Sequence, residues 1–372
     1  MLHIGIDARL SSPHFGIGRY TYELITHLLP LKERVRYHLF INSNDLSYQD
    51  WSHPSVQVHI VNVPHYSVAE QLKFPKIINS LDLDLIHFPH FNGPLSVRHK
   101  SVVTIHDLTL FHFPGKNMIN SMGYRYIINR ITKRAKHIIS ISEATKHDLI
   151  SILKTPEEKI SVIYEGAHDG FSRIEDQTQL AATKEKYALH KPFMMYTGTK
   201  RYHKNITRLI EAFRLQLDTY HDDIELVLVG KEEPEFTQVH DAIREHGLED
   251  RVKITGRVSD QELVDIMNLA TGYVFPSLYE GFGLPILEAF SCGLPVASSN
   301  TSSMPEVAGE GNALFFSPYD VPEMAAMMHK LVDDSTLRAQ LAERGQARVK
   351  DFSWKKMAEE TLAVYISVID HV

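Results

Sequence analysis

The rhythm of this sequence constrains its fold more than any single motif does. Short apolar runs alternate with amphipathic stretches at helical spacing, the pattern of a parallel α/β architecture. In the first half the strand candidates are Leu2–Ile6, Tyr37–Ile41, Val56–Ile60, Leu85–Phe88, Ser101–Ile105, Ile138–Ile141 and Ile160–Ile163. Helices are expected over Ile17–Leu29, Val68–Asn79, Ile119–Ala135 and Glu143–Leu153, the last with Ser142 as N-cap. The rhythm then restarts, with strands Phe193–Thr197, Glu225–Val229, Val252–Thr255, Gly272–Val274 and Val296–Ala297. Between them fall helices Ile206–Leu215, Glu235–His246, Asp260–Leu269 and Pro285–Ser291, and the chain is read as helical from Val321 onward. At 372 residues it exceeds what one core accommodates. Two doubly wound domains are expected, at 1–175 and 190–352, with the polar segment Asp169–Pro192 as their connection. A last helix, Trp354–Ile369, carries Trp354, Met357, Ala358, Leu362 and Tyr365 on one face, which must therefore be buried.

Bulk properties narrow the function classes. A formal net charge of −7 argues against a nucleic-acid binder, and no nucleic-acid partner is expected. The single cysteine, Cys292, lies in Phe290–Pro295, where it reads as a small buried hydrophobe rather than a reactive thiol and suits a reducing, cytoplasmic compartment. Leu2–Ile6 runs directly into Asp7 and Arg9 and so reads as a strand, not a secretory signal. No apolar stretch approaches the roughly 18–20 residues of a membrane span, so the chain is read as soluble or at most peripheral.

In open α/β sheets ligands bind at the carboxyl ends of strands, so the loops there carry the functional signal. The most informative is Tyr279-Glu280-Gly281-Phe282-Gly283-Leu284-Pro285-Ile286-Leu287-Glu288. Pro285 suits a first helical turn, and Gly281 and Gly283 let the main chain approach a ligand. The helix start beyond them favours a phosphate or diphosphate. Glu288 is placed in the first helical turn, where its carboxylate can accept from paired ribose hydroxyls, and Glu280 lies on the loop before it. Each also has a plainer reading, Glu288 as a helix-start charge and Glu280 as a solvated loop charge. A second loop, Tyr196–Asn205, holds Thr199 together with Arg201 and Lys204, cations of the kind a diphosphate leaving group needs. In the first half, Gly16-Ile17-Gly18 joins the first strand to the first helix, and His106-Asp107 follows the strand Ser101–Ile105.

The spacing Glu280 to Glu288, in the form Glu-Gly-Phe-Gly-Leu-Pro, resembles the paired-glutamate motif of retaining glycosyltransferases of family 4, which have the GT-B fold. Gly5–Arg9, Gly16–Tyr20, Thr104–Leu108, Ile141–Glu143 and Pro305–Gly309 are similar to segments of the same family, so the resemblance covers nearly the whole chain, with a mannosyltransferase-like branch nearest. It implies two Rossmann-like domains facing across a deep cleft, an acceptor domain followed by a donor domain, with residues 353–372 packing toward the first. It assigns the donor's ribose to Glu288, the donor sugar to Glu280 and His106, and the diphosphate to Lys204. Backbone donors come from Gly281, Phe282, Gly283 and Leu284, the loop Gly16 to Gly18 approaches the diphosphate, and the backbone near Arg257-Val258 reads the base. Thr199 stands where many members have arginine, and His203 where arginine often precedes the lysine; Arg201 is the candidate substitute.

The implied activity is a retaining, metal-independent transfer of a hexose, mannose from GDP-mannose, to a hydroxyl of a saccharide or lipid-linked saccharide. A UDP-glucose or UDP-N-acetylglucosamine donor, and a non-catalytic nucleotide-sugar-binding subunit, are the alternatives. No cofactor is expected, and no metal either. Asp82-Leu83-Asp84 spells a metal-binding pattern but precedes the strand Leu85–Phe88, at its amino end, and His87 and His90 lack a companion carboxylate. Acceptor contacts are expected around Pro64–Glu70 and His112–Asn120. The basic, apolar run Tyr124–Lys136 reads either as an ordinary helix with a solvated face, the favoured view, or as a peripheral contact to the anionic inner face of a membrane.

Overall fold

The computed structural model describes residues 1–13, 16–31, 34–48, 51–114, 118–231 and 237–370. They form two compact units, Met1–Gly166 with Ser353–Val372, and Ala167–Phe352.

Among the described residues, the first unit has a sheet of seven strands: β1 (Leu2–Asp7), β2 (Val35–Ile41), β3 (Val56–Ile60), β4 (Leu85–Phe88), β5 (Ser101–Ile105), β6 (His137–Ser140) and β7 (Ile160–Val162). Their order is β3-β2-β1-β4-β5-β6-β7, and every pairing is parallel. The second unit has six: β8 (Phe193–Thr197), β9 (Glu225–Val229), β10 (Val252–Gly256), β11 (Gly272–Phe275), β12 (Val296–Ser299) and β13 (Leu314–Phe316). Their order, β10-β9-β8-β11-β12-β13, repeats the doubly wound scheme. Strand order reverses between β1 and β4 in the first sheet and between β8 and β11 in the second. Those are the two places where such sheets open a crevice for a ligand.

The central strands are mostly apolar, as expected of parallel strands buried on both faces, with His87 and Thr104 as buried polar exceptions that bond to each other. All five residues of β8 and of β9 are buried. In the first unit Phe40, Phe74, Ile86, Val103, Ile128 and Ile138 anchor one continuous core.

The last helix, Trp354–Asp370, belongs to the first unit and packs on helix Gly16–Leu28. It buries Trp354, Met357, Ala358, Thr361, Leu362 and Tyr365, the stripe expected from spacing together with one threonine. The Lys100 ammonium donates to the carbonyls of Val368 and Ile369 at 3.0 Å each, filling acceptors that a helix end leaves open. Where the chain enters this helix, a Cβ on Gly166 would lie 2.3 Å from the Trp354 nitrogen, so only glycine fits.

Two expectations need correction. The segment Asp169–Pro192 is not a bare connection: it holds helix Gln177–Lys186, which lies in the second unit against helix Asp260–Leu269. The units divide at Gly166, earlier than the polar stretch suggested. This helix is hard to read because its contact face is partly polar: Leu180 is buried beside Thr183, whose hydroxyl donates to Asp265 at 2.6 Å. Helix Met304–Ala308 and strand β13 were also missed, being only five and three residues long. The start expected for helix Glu235–His246 lies outside the described residues, which show Gln238–Glu245.

Candidate functional site

In the second unit the chain leaves β8 and β11 on either side of the strand-order reversal, so Gly198–Asn205 and Pro276–Gly283 become neighbouring loops. They are bolted together. The Leu278 N–H donates to the His203 carbonyl at 2.7 Å, and the Asn205 amide donates to the carbonyls of Pro276 (3.0 Å) and Pro318 (2.7 Å). Asn205 adopts the left-handed conformation (φ 60°), which asparagine tolerates better than most residues. Across this seam Lys204 Nζ donates to both oxygens of Glu280, at 2.7 and 2.8 Å. The Ser277 hydroxyl adds a third bond to Glu280 Oε1 at 2.6 Å. The side chains of Lys204 and Glu280 are 18% and 13% exposed, so the pair is screened from water but open to a ligand. Two of the residues singled out from sequence are thus in direct contact.

Gly283 caps the following helix, Leu284–Ser291, at φ +110°, a conformation strained for any residue with a Cβ. It supplies no side-chain cap, so the main chain alone faces the helix start. Glu288 is not in the first turn as expected. With Leu284 as first residue it is the fifth, and the helix field has faded there. It is buried, and its charge bears on two neighbours: the Cys292 thiol is raised first by burial and then by Glu288, and the Tyr273 hydroxyl by burial, then Tyr196, then Glu288. Cys292 is pushed up to about 12, which fits a buried, unreactive thiol.

The remaining donor-side candidates lie along the same sheet edge. Thr199 follows β8, and its carbonyl accepts from the Tyr196 hydroxyl at 3.1 Å. Arg201 is exposed and precedes the short 3-10 turn Tyr202–Lys204. Val258 is half-buried just beyond β10. A ladder of glycines links these ends: Gly198 N–H donates to Val229 and Gly230 N–H to Gly256, both at 3.0 Å. A Cβ on Gly230 would lie 2.2 Å from the Gly198 carbonyl oxygen.

In the first unit, Gly16 opens helix Gly16–Leu28 at φ +50°. Gly18 is needed for close approach, since its Cβ would meet the Leu10 carbonyl at 2.7 Å. His106 follows β5 and is oriented from three sides. Its Nε2 donates to the Pro89 carbonyl at 2.8 Å, its Nδ1 lies 3.4 Å from Glu165, and Tyr20 meets it edge-on at 4.8 Å.

Nearby is a buried ion network that sequence reading missed. Arg9 donates to Asp7 Oδ1 (2.8 Å) and Oδ2 (2.7 Å) and to Glu70 Oε1 (2.7 Å), while Glu70 Oε2 accepts from Tyr66 N–H and Asn92. Arg9 also lies 3.9 Å from the Phe74 ring centre. Asp84 accepts from the His3 N–H at 2.7 Å, at the amino end of β4. Among the described residues no group of three His, Cys, Asp or Glu side chains is arranged to hold a metal ion. No described helix is long and apolar enough to cross a membrane. The acceptor loop expected at His112–Asn120 lies partly outside the described residues.

Comparison with known proteins agrees with this geometry. Residues 16–169 match the family described as Glycosyltransferase Family 4, and residues 179–348 match Glycosyl transferases group 1. The chain is 30% identical over 231 residues to O-antigen chain mannosyltransferase B of Escherichia coli, covering 62% of this chain and 60% of that protein. It therefore spans less than two thirds of that relative's length. Its fold matches sucrose-phosphate synthase from Thermosynechococcus elongatus with a TM-score of 0.80 at 20% identity, over all of both chains. It also matches Anabaena HepE in complex with UDP and glucose, with a TM-score of 0.77 at 20% identity over 99% of this chain and all of that one. With one family model on each half and a fold shared end to end, the chain belongs to the GT-B glycosyltransferases of family 4 and group 1.

Proposed function

We propose that this chain is a retaining, metal-independent hexosyltransferase that uses GDP-mannose and glycosylates a hydroxyl of a saccharide or lipid-linked saccharide in glycan synthesis. The observation that carries the reading is the Lys204–Glu280 pair at the strand-order reversal of the second sheet, beside the glycine-capped helix start at Leu284. Such a site offers a cation and main-chain dipoles to a diphosphate and a carboxylate to hydroxyls, which is the chemistry of a nucleotide sugar. The likeness to O-antigen chain mannosyltransferase B supports mannose as the sugar.

In the proposed reaction Lys204 and the helix start stabilise negative charge on the diphosphate as the anomeric carbon–oxygen bond breaks and its electron pair moves to the phosphate oxygen. The acceptor hydroxyl forms the new bond on the face being vacated, and its proton passes to that departing oxygen, so no protein base is required. This differs from glycoside hydrolysis, where two carboxyl groups flank the bond. Glu280 is assigned to hydroxyls of the sugar, Glu288 to the ribose, and Arg201, Thr199 and the backbone at Val258 to the remainder of the donor. Gly16 and Gly18 keep the diphosphate role that the resemblance gives their loop. The role proposed for His106, a contact to the donor sugar, is supported by the fixed orientation of its ring.

The test is thermal denaturation of purified protein with GDP, UDP and ADP, each alone and as its sugar conjugate, followed by turnover of the best ligand. A donor at about 100 times its Kd adds about 2.7 kcal/mol of stability. GDP-mannose should stabilise most and be turned over; preference for a UDP-sugar would replace the donor, and binding without turnover would favour a non-catalytic subunit.

Peripheral membrane contact is proposed through helix Met118–Arg134, which exposes Met122 and Tyr126 while Ile128 and Ile131 are buried. Flotation with vesicles containing anionic lipid should carry the protein at low salt; failure to float would end this idea.

A further inference from the structure

The loop that carries Glu280 is held from behind by a run of hydroxyl side chains at and beyond the end of β12. Ser299 Oγ donates to the Ser277 carbonyl at 2.6 Å, and Thr301 Oγ1 to the Leu278 carbonyl at 3.0 Å. Ser303 Oγ reaches the carbonyls of Glu280 (3.0 Å) and Phe282 (2.7 Å). Ser302 does something its neighbours do not. Its hydroxyl donates to the Glu280 carbonyl at 2.6 Å and accepts from the Glu280 N–H at 3.4 Å, so one oxygen grips the main chain on both sides of the same Cα.

Ser302 achieves this in the left-handed region, at φ +53°. Serine has no special tolerance for that conformation, which glycine or asparagine would adopt at lower cost. The strain coincides with a side chain that makes a two-sided contact to a residue at the centre of the site. Fixing both peptide groups of Glu280 leaves only its side-chain torsions free. Ser277 and Lys204 then restrain the carboxylate itself.

We propose that Ser302 is a positioning residue for sugar transfer: its hydroxyl sets the direction of the Glu280 carboxylate. The inference rests on the reading that Glu280 meets the donor sugar. It adds that the geometry of that contact is fixed through the main chain by a residue 22 positions away. Pre-organisation of this kind acts on the reacting sugar far more than on the nucleotide, so it should appear in kcat rather than in nucleotide affinity.

Two variants separate the hydroxyl from the backbone. Ser302→Ala removes the hydroxyl and keeps a Cβ in the strained conformation; Ser302→Gly removes the hydroxyl and relieves the strain. Amide hydrogen exchange over residues 277–284 of the unliganded protein reads the clamp without reference to any donor. Exchange there should quicken by about tenfold in both variants, as expected for the loss of one to two hydrogen bonds. With GDP-mannose, kcat should fall by about 10- to 100-fold in both, while the Kd for GDP stays within about threefold. Unchanged exchange in both variants overturns the clamp whatever the donor proves to be. A Ser302→Gly enzyme with the parent kcat also overturns the inference, since the left-handed backbone would then be all that matters. If the parent protein turned over no nucleotide sugar, the reading of the site would fail, and the exchange result would still decide whether Ser302 holds the loop.

Discussion

Replacing Glu280 with glutamine should tighten the binding of free nucleoside diphosphate while abolishing transfer. In the unliganded protein the Lys204 ammonium is engaged by both Glu280 oxygens, at 2.7 and 2.8 Å, with both side chains less than a fifth exposed. A diphosphate entering beside Lys204 must share that cation with the carboxylate and bear the carboxylate's repulsion. Unit charges about 4 Å apart at an effective dielectric of about 20 interact by about 4 kcal/mol. Partial exposure, salt and the cost of dehydrating the pair reduce the net term to about 1–1.5 kcal/mol. Glutamine keeps the shape and can still accept from Ser277 and Lys204, so the change is close to a pure removal of charge. The expected result by titration calorimetry is a Kd for GDP lower by about 5- to 10-fold at low salt, with the gain shrinking as salt rises. Lys204→Ala should weaken GDP by about 10- to 100-fold, the worth of a charge-assisted hydrogen bond. In the double variant the effect of Glu280→Gln should largely vanish, because the cation both groups compete for is gone. If Glu280→Gln bound GDP no more tightly than the parent, or more weakly, Lys204 would not be the shared cation and the assignment of the diphosphate to it would fall.

Other perturbations follow from the same structure. His87 is fully buried between the Tyr365 hydroxyl (2.5 Å) and Thr104 (2.9 Å), and burial holds its imidazole down at about 3. The unfolded chain binds this proton below pH ~6.5 and the folded one does not. Its contribution is therefore intact above that pH and is lost as pH falls toward 3, by about 2 kcal/mol between pH 6.5 and 5. Urea melts at the two pH values should show a smaller acid loss for His87→Gln by that amount; equal losses would refute it. Arg9→Met should destabilise the first unit by about 3–5 kcal/mol, since it leaves Asp7 and Glu70 buried without their cation; a loss below about 1 kcal/mol would mean water reaches them. Gly283→Ala meets no atom closer than 3.5 Å, so its cost is conformational, about 1–2 kcal/mol in thermal melts, with weaker donor binding; an unchanged melting temperature would count against a strained cap. Cys292 should resist alkylation at pH 8 until the protein is denatured, and rapid labelling of native protein would contradict its burial.

What sequence could reveal divides along a physical line. Strands β4, β5, β8 and β9 begin and end as expected, because they lie inside their sheets and are almost wholly buried, and edge strand β3 does so through its alternation of apolar and polar residues. Helix Gln177–Lys186 escaped because its contact includes a buried threonine–aspartate hydrogen bond, which periodicity of apolar residues does not register. The depth of Glu288 was misjudged by one residue of helix start: counting from Pro285 puts it in the first turn, whereas Gly283 begins the helix at Leu284 and leaves Glu288 beneath the site. The Arg9–Glu70 bond spans 61 positions and joins the loop after β1 to the first turn of helix Val68–Ile78, which nothing local connects.

The site itself shows the same division more sharply. Lys204 and Glu280 were found because each follows a strand in a loop whose residue types betray its chemistry. Ser302 was not, since serine after a strand is commonplace and its left-handed backbone is invisible in a string of letters. Charged groups that meet a ligand leave a compositional trace; the groups that aim them leave only geometry. For this chain the aiming groups are hydroxyls donating to carbonyls 21 to 23 positions earlier, a relation set by the parallel neighbours β11 and β12 and by nothing in the local sequence. A variant library limited to the conspicuous residues would find which groups touch the donor and miss what makes their contact productive. The Ser302 variants should therefore separate affinity from turnover more cleanly than any substitution at Lys204 or Glu280.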